Sequence, residues 1–284
     1  MANAARAIQA GFRRCIVHLL DTSGYAMGIT GSLANGSDAG SYQMMGVKTG
    51  DMQLPEPDKT DITGDDRFLG AFVWPLSASP SGSIEAAVYD QDLFTALEGT
   101  TKRALGGAEL HVLGGQEASP KDVCMVFQSE AKSQTTGFAG LSKKFGIIVP
   151  KAAVSVLGPS TFNERGEINA RLAVTIQSAD KYPWGEALSV ANEGVTNGVM
   201  IPFTSDYWVD IHAFVGDGST TTVTLDHTPA GDGTGTPARV LVWKNGTALT
   251  VTSDFTVNTS TKVVTFVTAP AAGDKVIIWY EWVS

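Results

Sequence analysis

From residue 171 to 177 the chain reads Arg-Leu-Ala-Val-Thr-Ile-Gln, with Leu172, Val174 and Ile176 alternating against more polar neighbours. A period of two is the mark of a strand with one buried and one wetter face. The run 12–20 also reads as a strand, with Arg14, Ile16, His18 and Leu20 on one face and Cys15, Val17 and Leu19 on the other. Further strands are predicted at 67–74, 84–89, 108–113, 122–130, 144–157 and 168–178. Pro150 falls inside one of them, where its missing N–H predicts a bend or bulge. A helical pattern stands out at 90–98, with Asp90 as N-cap, Gly99 as stop, and Leu93, Phe94 and Leu97 on one face.

Two stretches lack such periodicity. Residues 21–66 are punctuated by Ser23-Gly24, Asn35-Gly36-Ser37, Gly40, Gly46, Gly50 and Pro55-Glu56-Pro57, and read as one long connection. A loop of that length in a compact domain usually has a function of its own. Residues 179–211 read as a connector carrying Tyr182-Pro183-Trp184-Gly185 and Ile201-Pro202-Phe203.

Beyond it the texture changes to short strands at near-regular spacing: 212–216, 220–226, 238–244, 248–251, 262–267 and 275–283. That rhythm is expected of a small β-sandwich. Lys244-Asn245-Gly246-Thr247 predicts a tight hairpin, because Asn-Gly tolerates the positive φ of a type I′ turn. In the last strand Val276, Ile278, Tyr280 and Trp282 share one face, and Ile277, Trp279 and Val283 share the other, so it needs cover on both sides. No repeat of solenoid period is present.

Charge and composition narrow the function. Charged residues are 17% of the chain, below the ~25% of an average soluble domain, which suits a surface largely covered by partners. The net charge is −9; residues 206–284 carry eight acids against four bases, leaving −5 for residues 1–205. Neither part has the basic stripe that neutralising phosphates requires, which argues against tight nucleic-acid binding. No signal peptide or membrane-length apolar run is evident, so a soluble, non-secreted protein is expected.

Candidate chemistry is sparse. Cys15 and Cys124 sit in apolar strands and read as buried thiols. His18, His111, His212 and His227 are scattered without a metal-binding spacing. Asp65-Asp66 lies in a turn entering a strand. Gly216-Asp217-Gly218-Ser219 and Gly231-Asp232-Gly233 offer one carboxylate each, where a calcium loop needs several oxygen ligands. No P-loop or nucleophile elbow appears. Of six tryptophans, Trp184, Trp208, Trp243, Trp279 and Trp282 gather toward the C-terminus; core or interface anchoring is the commoner use of such rings, a glycan platform the rarer. No enzyme activity, cofactor or metal is expected.

The order of a strand, a very long loop, Ile62-Thr63-Gly64-Asp65-Asp66 entering a strand, one short helix and further strands resembles the major tail tube proteins of long-tailed bacteriophages. The segments Phe214-Val215-Gly216-Asp217-Gly218-Ser219-Thr220, Val242-Trp243-Lys244-Asn245-Gly246, Asp254-Phe255-Thr256-Val257 and Ala269-Pro270-Ala271-Ala272-Gly273-Asp274 resemble immunoglobulin-like modules appended to phage tail and fibre proteins. The resemblance implies a mostly β protein. Residues 1–205 would form a tail-tube-type β-sandwich or barrel with one short helix and a long loop. Residues 206–284 would form an immunoglobulin-like β-sandwich decorating the exterior, dispensable for tube formation.

It also implies hexameric rings stacked into a tube in the virion, made in the host cytoplasm, with tape measure and tail terminator as partners. DNA would pass through the lumen without specific binding, and no membrane is involved. The loop, about 28–64, would reach the adjacent ring. Met44, Met45, Leu54, Pro55, Pro57, Asp65 and Asp66 are the candidate inter-ring contacts. The rival expectation is another virion component, a capsid-decorating or receptor- and glycan-binding protein. A hydrolase ranks last, for want of a nucleophile and base.

Overall fold

The computed structural model describes residues 7–27, 29–30, 41–45, 47–53, 59–64, 67–73, 81–86, 93, 96–97, 103–105, 108–110, 122–133, 144–157, 170–188, 201–231 and 239–282. Its first thirteen strands are β1 (Ala7–Leu19), β2 (Ile29–Thr30), β3 (Ser41–Met45), β4 (Val47–Gln53), β5 (Lys59–Gly64), β6 (Arg67–Val73), β7 (Ser81–Ala86), β8 (Arg103–Leu105), β9 (Ala108–Leu110), β10 (Asp122–Ser133), β11 (Lys144–Val156), β12 (Ala170–Ile176) and β13 (Ile201–Ser205). The largest sheet runs β3-β1-β10-β11-β12-β7-β4, with β13 beside β11. All its pairings are antiparallel.

Only Gly46 separates β3 from β4, so one segment lies along β1 at one end of the sheet and along β7 at the other. The sheet thereby closes on itself as a barrel. Its interior is a first core that includes Cys15, Val17, Met125, Phe127, Val149, Leu172, Val174 and Ile176. Leu93 and Leu97, from a helical turn, are buried in the same core.

Alternation decides which residues point inward. In β12 Leu172, Val174 and Ile176 are buried while Arg171 and Thr175 are exposed, as the sequence predicts. In β11 the inward set switches from Val149 to Ala152 and Val154. The cause is a bulge: β11 advances from Val149 to Ala152 while β10 steps from Met125 to Val123. It falls at Pro150, where a bend or bulge is predicted.

The remaining strands are β14 (Trp208–Val215), β15 (Thr222–Thr224), β16 (Val240–Lys244), β17 (Thr247–Ala248), β18 (Phe255–Asn258), β19 (Val263–Phe266) and β20 (Lys275–Trp282). Together with β2, which pairs in parallel with β14, they form a second unit of two sheets, β17-β16-β20-β14-β2 and β15-β19-β18. Between these lies a second core of Phe214, Val223, Leu225, Val240, Val242, Phe255, Val264, Phe266, Val276, Ile278 and Tyr280. The predicted hairpin is present: Trp243 pairs with Ala248 and Lys244 with Thr247, and Asn245 and Gly246 take φ of 50° and 82°.

The two units share a third core. Ile16, Leu20, Cys124, Val126 and Ile148 on the outer face of the barrel meet Ile211, Ala213, Trp243 and Ile277 of the larger sandwich sheet, with Trp184 between them. This is the second cover that the doubly apolar β20 requires. The passage between units is short: β13 pairs with β11 in the barrel, and β14 begins in the sandwich two residues later, after Asp206 and Tyr207.

Several expectations change. The stretch 21–66 is not one connection; it contains β2, β3, β4 and β5, short strands set among the turn residues Gly40, Gly46, Gly50 and Pro55-Glu56-Pro57. The connector 179–211 contains a tight turn at 181–187, then β13 and the start of β14. Pro202 masks β13 in the sequence, because proline has no N–H for a ladder. Phe255–Asn258 is a strand that spacing did not predict. Of the predicted helix only Leu93, Ala96 and Leu97 are described, and all three are helical. No helix among the described residues is long and apolar enough to cross a membrane.

Candidate functional site: a buried charged cluster between barrel and sandwich

Polar groups interrupt the third core along the edge of β14. Arg14 leaves β1 and donates from Nη1 to the Val209 carbonyl at 2.9 Å and from Nη2 to Asp210 Oδ2 at 3.2 Å. Gln128 of β10 donates from Nε2 to the same carbonyl at 2.9 Å. Two barrel side chains thus satisfy a strand-edge acceptor of the sandwich. The Tyr280 hydroxyl donates to Asp210 Oδ2 at 3.2 Å, and the Ile211 N–H to Oδ1 at 3.0 Å. His227 Nε2 lies 3.6 Å from Asp210 Oδ2. The His227 ring stacks on Trp282 at 3.8 Å and 15°, and the Arg14 guanidinium sits 5.3 Å from the Trp282 ring centroid.

Burial governs the protonation states. Desolvation pulls His18 down to about 4, with the Asp210 charge opposing it and His212 and Arg14 assisting. Desolvation likewise lowers His212 to about 4, again against Asp210. Burial, then the charge of Asp210, raises Asp226. Burial also pushes the Tyr280 phenol and the Cys15 and Cys124 thiols well above their ordinary range. At neutral pH the two imidazoles are therefore uncharged and both thiols protonated, which is the opposite of an activated nucleophile. Cys15 belongs to the barrel core and Cys124 to the third core, on opposite faces of the wall. Among the described residues no group of three or more His, Cys, Asp or Glu is placed to hold a metal ion. What this arrangement can do is fasten one unit to the other.

A second fastening lies at the rim. Lys181 and Lys275 place their ammonium groups 4.4 and 4.9 Å from the Tyr25 ring centroid, and Lys275 also pairs with Asp21. The turn at Gly185 fits between Tyr25 and the Asn245-Gly246 hairpin so closely that a Cβ on Gly185 would lie 2.3 Å from the Tyr25 ring. Beside it Trp184 stacks on Tyr182 at 4.5 Å and on Trp243 at 5.1 Å, and meets Trp279 edge-on at 5.4 Å.

The sequence-predicted contacts fare unevenly. Met44 lies in β3 opposite Cys15 and is buried in the barrel core. Met45 lies opposite Arg14 in the same strand. Leu54, Pro55, Pro57, Asp65 and Asp66 lie outside the described residues. The strands flanking the acidic pair, β5 and β6, form a two-stranded hairpin of their own. The loop at Asp217 is a turn: Oδ1 accepts the Ser219 and Thr220 N–H groups, and Oδ2 accepts the Thr220 hydroxyl. Asp232 lies outside the described residues.

Sequence reasoning did not single out Asp210, Gln128 or Tyr280. Arg14 and Asp210 are 196 positions apart, and no local pattern joins them. The available signal was Arg14 and His18 sharing an otherwise apolar strand face. No protein-family model matches this chain, and no curated protein matches it.

Proposed function

We propose that this chain is a structural, non-enzymatic subunit of a phage virion that stacks as hexameric rings into the tail tube, a conduit for DNA ejection. Residues 1–205 would form the ring and lumen, and residues 206–284 an immunoglobulin-like sandwich on the exterior. Tape measure and tail terminator proteins would cap and gauge the tube, and DNA would pass without specific binding.

The observation that carries this reading is the β5–β6 hairpin. It pairs only within itself among the described strands, although Phe68, Leu69, Phe72 and Val73 make β6 strongly apolar. An isolated two-stranded hairpin is marginal in water, and an exposed edge invites pairing with another chain. A neighbouring subunit would supply further strands for it to pair with. Burial of the titratable cluster between the sheets supports a structural role in the same direction.

Negative-stain microscopy of the purified chain tests the proposal, with rings or tubes expected. Deleting residues 59–73 is expected to abolish stacking while leaving the circular dichroism of the barrel. A monomer at all concentrations, or tubes unaffected by the deletion, overturns it. The rival reading, a capsid-decorating or receptor- and glycan-binding virion protein, gains little from the tryptophans, since Trp184 and Trp243 are consumed in the third core. A depression of about 280 Å³ on the sandwich is lined by Lys244, Leu249, Asp254, Phe266, Val267 and Pro270 among others, with no tryptophan among its described lining. Binding of the intact chain on a glycan array would favour that rival.

A further inference from the structure

His18 is fully buried in the barrel wall on the face covered by the sandwich, and neither ring nitrogen has a hydrogen-bond partner. A buried imidazole that bonds nothing gives no directional benefit, and once protonated it becomes an uncompensated charge in an apolar core. On β1 itself stands Arg14, and directly across β10 stands Cys124. From β14 the charges of Asp210 and His212 act on it, although His212 shares the strand face of Phe214 rather than that of Ile211 and Ala213, which join the third core. Behind Asp210 lie Tyr280 on β20, Asp226 and His227 after β15, and Lys262. Among the described residues the only carboxylate acting directly on His18 is Asp210, which Arg14 and Tyr280 already engage.

We propose that the docking of the sandwich on the barrel is an acid-labile latch, in which protonation of His18 drives the two units apart while each retains its own core. The geometry allows this separation. The first and second cores share no residue, and the junction is spanned by the third core, by the Arg14 and Gln128 bonds to β14, by the Lys275–Asp21 pair and by the short β2–β14 ladder. In the docked state burial holds His18 at about 4, whereas a solvated imidazole titrates near 6.5. The undocked state therefore takes up the proton first. Each pH unit below 6.5 shifts the ratio of docked to undocked chains by up to about tenfold, until the docked imidazole itself titrates near 4.

The test is an acid titration of the dilute full-length chain from pH 7 to 3.5, read by tryptophan emission and far-ultraviolet circular dichroism. Trp184, Trp243 and Trp279 belong to the third core, so undocking is expected to red-shift emission before strand content falls. His18→Leu fills the site without a titratable group and breaks no hydrogen bond. It is expected to move the emission change to lower pH by about one unit or more. Should that variant fail to fold, hydrogen exchange on the unaltered chain at pH 7 and 4.5 decides the matter. The β14 amides facing the barrel are then expected to lose protection while β18 and β19 keep theirs. Coincident loss of emission and strand signals, an unmoved midpoint in His18→Leu, or uniform loss of protection overturns the proposal.

Discussion

Asp210 joins Arg14 of the barrel to Tyr280 of its own sheet within one buried cluster. Removing one partner of such a pair leaves the other charge buried and unmatched, which costs about 3–5 kcal/mol. Asp210→Ala is expected to lose about that much in urea unfolding. Arg239→Ala, at the exposed Arg239–Glu281 pair, is expected to lose under about 1 kcal/mol. Gly185 combines a φ of +93° with contact on two sides, so Gly185→Ala should lower the melting temperature more than Gly273→Ala, where φ is +92° and the space is open. The imidazoles add a pH dependence of global stability. With folded values of about 4 against an ordinary 6.5, the unfolded chain binds their protons first. Stability is full above pH 6.5 and falls progressively toward pH 4, by up to about 3 kcal/mol for each histidine. Urea melts at pH 7, 5.5 and 4 check it.

Elements were legible where periodicity or turn chemistry was strong and illegible where pairing came from afar. The two apolar faces of β20 announced cover on both sides, and the structure supplies it from the second and third cores. Asn245-Gly246 announced its own φ values, and Pro150 its bulge. By contrast, β13 carries Pro202, and β3 and β4 lie among glycines; each is held as a strand by its neighbour's ladder rather than by its own propensity. The charged cluster was hidden for the same reason, since strand alternation marks a buried face without naming what covers it. Phe203 shows this dependence in one pair. Its ring lies over Gly146 of β11, where an added Cβ would come within 2.2 Å, and it meets Trp279 edge-on at 5.6 Å. Gly146→Val is expected to displace Phe203 and loosen β13, read as faster amide exchange at 201–205.

At the scale of the whole chain, the change of sheet falls at Asp206–Tyr207, yet the third core crosses it. A fragment of residues 1–205 would expose Ile16, Cys124, Val126 and Ile148 to water. Contiguous apolar surface of that kind promotes association. The fragment is expected to bind a hydrophobic dye and aggregate at concentrations where the full chain stays dispersed.

The two-residue passage from β13 to β14 also has a mechanical meaning. With so little slack and a shared interior, the sandwich cannot swing as a bead on a string; a tug on it is carried directly into the β13–β11 ladder. At neutral pH, averaged electron-microscopy images of any assembly should therefore show the sandwich as sharply as the barrel, and a blurred sandwich would mean that the junction has come loose.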